Sequence, residues 1–150
     1  MNLDRAHQFE SFVYDWFISN YGISITHYHT QKEQFEKGEN RQGFEIKNDQ
    51  SFEKTGNLFI SVLRKDSLGN EYPSGVFKKD NRWLYVIGNK TEFYTFTCRQ
   101  LQNYYNHFKP KLFKGFTTDR GRSEYGFLLN RKAAQKMCAI KHSQQIQMTI

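Results

Sequence analysis

The sequence predicts an α/β domain, a sheet flanked by helices, and three observations carry that prediction. Phe9, Phe12, Val13, Trp16 and Phe17 recur at i, i+3, i+4, i+7 and i+8, which is one face of a helix. Four later stretches, 44–49, 57–63, 82–88 and 91–97, alternate or run apolar as strands do. The spacing of Leu101, Tyr104, Tyr105 and Phe108 then returns to that of a helix, followed by a strand at 125–129 and a helix at 131–140. The 150 residues fit a single domain, with 140–150 as a flexible tail.

In chain order, 3–20 is the first helix, with Asp4 as N-cap and 20–22 as its stop. Glu10 lies beside its apolar stripe, within reach of a site formed where helix and sheet meet. Segment 23–28 reads as a strand through Ile23 and Ile25. His27 and His29 would share one face of it and, with Glu33, offer a metal-ligand set, although solvent-facing side chains leave the same pattern. Segment 31–39 reads as an extended polar arm.

The run 38–49, GENRQGFEIKND, holds the most distinctive chemistry. In a strand over 44–49, Phe44 and Ile46 enter a core while Glu45, Lys47 and Asp49 share the opposite face. Glu39 stands six residues before Glu45 as a further carboxylate. Close carboxylates repel unless a cation lies between them, and their oxygens suit Mg²⁺ or Mn²⁺. A lysine beside such a metal stabilises developing negative charge or orients a water. A solvated strand face with cross-strand ion pairs is the plain alternative.

A polar turn at 50–56 separates this strand from NLFISVL at 57–63. A loop at 66–75 contains Gly69, Asn70, Pro73 and Gly75. Strands 82–88 and 91–97 are joined by Gly88, Asn89 and Lys90, a hairpin signal. Pro110 stops the second long helix. Lys109, Lys111, Lys114, Arg120 and Arg122 then interleave with Phe113 and Phe116. Cations among aromatics track a phosphate backbone and stack on exposed bases, and a solvated loop shares the composition.

Charge is divided along the chain. Residues 1–75 hold 8 Lys/Arg against 11 Asp/Glu, and 76–150 hold 14 against 4, within a net +7. An acidic half able to hold a metal and a basic half able to hold a polyanion suit an enzyme of nucleic acid, though many basic proteins share the sum. Mean hydropathy is −0.81, yet 14 Phe and 9 Tyr supply area for a core. Cys98 and Cys138 form no CxxC or zinc pattern and read as reduced thiols. No run approaches the ~18 apolar residues of a membrane span, and no signal peptide is read.

The order helix, strands, helix, strand, helix, with EIK on a central strand, resembles the PD-(D/E)xK nuclease superfamily. More narrowly, GENRQGFEIKND, KTGNLFISV and PSGVFKKDNRWLYVIG are similar to a group of small phage and bacterial proteins of that type, over roughly residues 8 to 130. The resemblance implies a restriction-endonuclease-like αβββαβ core with a central mixed sheet, and Mg²⁺-dependent cleavage of phosphodiester bonds. It places Glu45 and Lys47 at the (D/E)xK positions, Glu39 at the first acidic position and Glu10 at the first-helix glutamate of some branches. The chain lacks a Pro-Asp pair, and Ser61 stands where relatives are expected to carry an acid.

The expected function is therefore a metal-dependent endonuclease or exonuclease. Glu39 and Glu45 would hold Mg²⁺ (or Mn²⁺), with Glu10 or Asp49 acting through water, and Lys47 would assist the attacking water. Lys109, Lys111, Lys114, Arg120 and Arg122 would hold nucleic acid, DNA before RNA. A homodimer is a further expected form, since double-strand cutting usually calls for one. The expected location is the cytoplasm of a bacterial or phage-infected cell, with no membrane partner. Two alternatives stand beside this: a catalytically inactive nuclease fold kept for binding or regulation, and an interaction protein with an aromatic surface.

Overall fold

The computed structural model describes residues 3–27 and 30–144. The apolar stripe forms helix α1, Leu3–Tyr21, and buries Phe9, Val13 and Phe17 completely. Each such side chain contributes about 1.5–3 kcal/mol when removed from water. The segment after α1 is not the expected strand. Ile23 and Ile25 pack beside the helix, and only His27 pairs, in an isolated bridge to Asn40; Tyr28 and His29 lie outside the described residues.

The expected extended arm is instead helix α2, Gln31–Lys37. Thr30 Oγ1 accepts the Glu33 amide at 3.1 Å and supplies the N-cap that an extended reading overlooked. Strand β1, Phe44–Asn48, follows, then a short helix α3, Phe52–Thr55, within the expected turn. Next come β2, Asn57–Lys65; β3, Glu71–Pro73; and a 3-10 turn at Gly75–Phe77. Strands β4, Leu84–Gly88, and β5, Glu92–Thr97, form the expected hairpin. Helix α4, Cys98–Phe108, opens with a full capping box between Thr97 and Gln100. The chain continues through β6, Phe113–Thr117; β7, Ser123–Asn130; α5, Arg131–Met137; and β8, Ile140–Ser143. Strand β8 pairs with β5, so the expected tail is ordered through Ser143; 145–150 lie outside the described residues.

The architecture is mixed α/β with two sheets where one central sheet was expected. Sheet one has the order β1-β4-β5-β8, with β1 parallel to β4 and the other pairs antiparallel. Sheet two, β3-β2-β7-β6, is antiparallel throughout. Strand β2 pairs along its whole length with β7, from Asn57↔Asn130 to Lys65↔Ser123, and so belongs to a second sheet.

Alternation then sorts the core. Phe44, Ile46, Leu84, Val86 and Phe93 face α1, while Tyr85, Ile87, Tyr94 and Phe96 pack with Leu58, Ile60, Phe127 and Leu129 of sheet two. Sheet one is thus buried on both faces, and β1 is one of its two edge strands. Among the described residues, no helix is long and apolar enough to cross a membrane.

Candidate active site

Asn40, fully buried, shapes the approach to β1. Its side chain donates to the Phe44 carbonyl at 2.7 Å and accepts the Phe44 amide at 2.9 Å, closing residues 40–44 into a turn. Asn81 Nδ2 donates to the Asn40 carbonyl at 2.7 Å and fixes the turn from outside. The turn brings Glu39 back alongside the open edge of β1, where its carboxylate accepts the Ile46 amide at 3.3 Å. Glu39 and Glu45, close in sequence, therefore approach the same strand from its edge and from its face.

Glu10 approaches Glu39 from α1, near enough for its side chain and charge to act on the Glu39 carboxyl. Burial pushes the Glu39 carboxyl well above the usual range, and the Glu10 side chain and the charges of Glu45 and Glu10 push the same way. The Tyr14 phenol is also raised, first by burial and then by Glu39 and Glu10.

Glu45 is buried on the face of sheet one away from α1, in register with Tyr85. Burial alone would raise its pKa, but two cations outweigh it and hold the carboxylate below its usual range. Lys47 Nζ lies 2.8 Å from Oε1, and Arg82 Nη2 lies 3.2 Å from Oε2. Lys47 is the half-exposed member, its side chain 49% accessible, and Glu45 raises its ammonium pKa.

Arg82 and Asp80 escaped the sequence reading. Arg82 binds Asp80 through Nε and Nη2, each at 2.8 Å, and Nη1 donates to the Gly75 carbonyl at 2.9 Å. The Asp80 carboxylate also accepts the Arg82 amide, a local Asx turn that the order Asp-Asn-Arg signals. Gly75 has φ +56°, and a Cβ there would stand 1.9 Å from the Ser61 carbonyl oxygen, so only glycine lets the PSG loop lie against β2.

Asp49 leaves β1 and joins the two sheets. It accepts the Phe59 amide at 2.8 Å, the Ser51 amide at 3.1 Å and the Ser51 hydroxyl at 2.9 Å, so both oxygens serve the backbone and the turn. Ser61, in the slot where an acid was expected, faces one: its hydroxyl donates to buried Glu124, as does Ser74. Arg64 Nε completes that cluster at 2.7 Å. Burial would raise Glu124, but these donors hold it below the usual range.

The cations Lys109, Lys111, Lys114, Arg120 and Arg122 lie outside sheet one, the sheet that carries Glu45 and Lys47. Lys109 caps α4, Lys111 and Lys114 flank or lie on β6, and Arg120 and Arg122 occupy the β6–β7 turn. Strand β6 stands two positions from β2, about 10 Å across sheet two. Of the alternative ligand set, His27 lies against Tyr14, with Nδ1 3.4 Å from its hydroxyl. Glu33 caps α2 with Thr30, and His29 is outside the described residues.

The carboxylates supply only hard oxygen donors, the ligand type of Mg²⁺ and Mn²⁺. Burial and the neighbouring charges of Glu45 and Glu10 make a nearby cation favourable for the Glu39 carboxylate. Glu45 is turned onto Lys47 and Arg82, and among the described residues no three His, Cys, Asp or Glu are arranged to hold a metal ion. No family model, curated protein or solved structure matches the chain.

Proposed function

We propose that the chain is a metal-dependent nuclease of the PD-(D/E)xK type, hydrolysing phosphodiester bonds of nucleic acid, DNA before RNA. The carrying observation is that Glu10, Glu39, Glu45 and Lys47 converge on the open edge and face of a single strand. Mg²⁺ or Mn²⁺, when bound, would polarise the scissile phosphate and lower the pKa of a water. Glu39 would offer its oxygens once its own proton leaves, with the Glu10 carboxylate beside it. Arg82 fixes the Glu45 carboxylate against β1 and so sets where a third oxygen is presented. Lys47 keeps its charge through Glu45 and, being half-exposed, offsets negative charge on a phosphate or orients the attacking water.

The test is cleavage of supercoiled plasmid, linear duplex, single strands and RNA with Mg²⁺, Mn²⁺ or EDTA. Metal-dependent cutting that disappears in Glu39→Ala and Lys47→Ala supports the reading; full activity in folded Lys47→Ala overturns it.

One observation favours a second reading, a nuclease fold kept as a binding or regulatory module. Both oxygens of Glu45 are already claimed by cations, as in a purely structural ion cluster. That reading expects nucleic-acid binding in EDTA with no cutting of any substrate.

A further inference from the structure

The outer face of sheet two, away from sheet one, is closed at one end and open at the other. At the closed end the PSG loop covers Ser61 and Glu124. At the open end Phe59, Leu128 and Phe113 share a face, because Phe59 is in register with Leu128 and Phe113 with Gly126. Leu128 and Phe113 are each 40% exposed, and Phe116 on the same hairpin is 53% exposed.

The Phe59 ring lies in a bed that only glycines permit. A Cβ at Gly126 or Gly115 would stand 2.9 Å from its tip. The result is a shallow apolar shelf crossing three strands. Lys111 Nζ lies 5.2 Å from the Phe113 ring centroid, over its face. Residues 109–122 carry five Lys/Arg against one Asp. At its β2 end the shelf borders the end of β1, because the Phe59 amide donates to Asp49, two residues beyond Lys47.

We propose that this shelf is a stacking platform for unpaired nucleotides, so that the substrate class is nucleic acid with a single-stranded segment. The proposal rests on the reading of the chain as one that acts on nucleic acid. An aromatic ring flanked by cations offers a π face to a base and a counter-charge to its phosphate, and needs no base sequence. Duplex cannot use the platform, since its bases are already stacked. The excess of positive charge disfavours a second copy of the same hairpin as the occupant. A strand laid from β6 across Phe59 would lead its backbone towards Lys47.

The experiment is a fluorescence-polarisation titration in EDTA of the full chain, with an oligothymidylate of about 15 nucleotides and a duplex of equal length. Wild type is expected to bind the single strand more tightly. Phe113→Ala should lower that affinity on the order of tenfold, leave duplex affinity unchanged and keep the salt dependence, while Phe113→Trp retains binding. Should Phe113→Ala not fold, Phe113→Leu keeps apolar area, removes the π face and carries the same expectation. Equal affinity for duplex, unchanged single-strand affinity in the variant, or a salt-insensitive self-association that Phe113→Ala abolishes would each overturn the platform. Cutting is read separately, in Mg²⁺ with Lys47→Ala. Loss of the nuclease reading therefore leaves the binding result intact, and cutting without single-strand preference removes the platform alone.

Discussion

Arg82 joins Glu45 to the loop that covers sheet two, with one nitrogen 3.2 Å from the Glu45 carboxylate and another 2.9 Å from the Gly75 carbonyl. Its side chain is nearly inaccessible, as are those of Glu45 and Asp80. A single guanidinium thus neutralises two buried carboxylates and binds a backbone carbonyl, a task that its planar fork suits and a lysine does not.

Replacing Arg82 with Leu leaves two buried carboxylates short of a partner. Breaking a buried pair in this way costs about 3–5 kcal/mol. Urea unfolding of Arg82→Leu should show a loss in that range. Arg82→Lys is expected to recover only part of it.

Lys47→Ala separates chemistry from stability. The ammonium is half-exposed and is one of two cations on Glu45, so its removal should change unfolding free energy by about 1 kcal/mol or less. If the chain is the proposed nuclease, cleavage should in contrast fall at least a hundredfold, since Lys47 would face the phosphate. Parallel melting and plasmid-nicking measurements check both halves.

The buried Glu39 carboxyl predicts a pH dependence. A carboxyl whose folded pKa is raised holds its proton more tightly when folded. Its contribution is therefore fully present below the unfolded value of about 4.5 and is lost as pH rises towards the raised one. Glu45, held low, runs the opposite way and loses its contribution as pH falls below about 4.5. Glu39→Gln should raise the melting temperature near neutral pH and have little effect near pH 4. On the metal-dependent proposal, millimolar Mg²⁺ should raise the melting temperature of wild type at neutral pH, and much less in Glu39→Gln, because the ion offsets the buried charge of Glu39.

Gly75→Ala tests the loop that supports Arg82. The added methyl meets the Ser61 carbonyl at a distance no packing tolerates, in a backbone region that alanine disfavours. A loss of about 2–4 kcal/mol is expected by thermal unfolding. The damage should reach the site through Arg82, so residual cleavage per folded molecule should also drop.

The cations of the β6 hairpin predict an ionic signature. If Lys111 and Lys114 meet phosphates, each replacement by Ala should lower the slope of log affinity against log salt by about 1 for every sequence alike. An unchanged slope would remove them from the interface.

Much of the frame was legible from local pattern. The stripe from Phe9 to Phe17, the alternation at Phe44–Asn48 and the hairpin at Gly88 each depend on near neighbours, and each formed as expected. The misses also have local causes. Thr30 capped a helix where polarity had suggested an arm, and Ile23 and Ile25 packed beside α1 without a strand partner. Asp49 has the right parity for the polar face, yet β1 ends before it and its oxygens turn to Phe59 and Ser51.

By itself the sequence determined which residues face which way along α1, β1 and the β4–β5 hairpin, and that acids gather in the first half and cations in the second. Side-chain periods of 2 and 3.6 are properties of the backbone and need no distant partner. Only the tertiary structure decided that β2 joins β7 in a second sheet, that Asn40 folds Glu39 back onto β1 and that Arg82 claims Glu45. Those outcomes depend on burial. A carboxylate taken out of water must find a cation, a proton or an amide, and which one is within reach is set by the path of the whole chain.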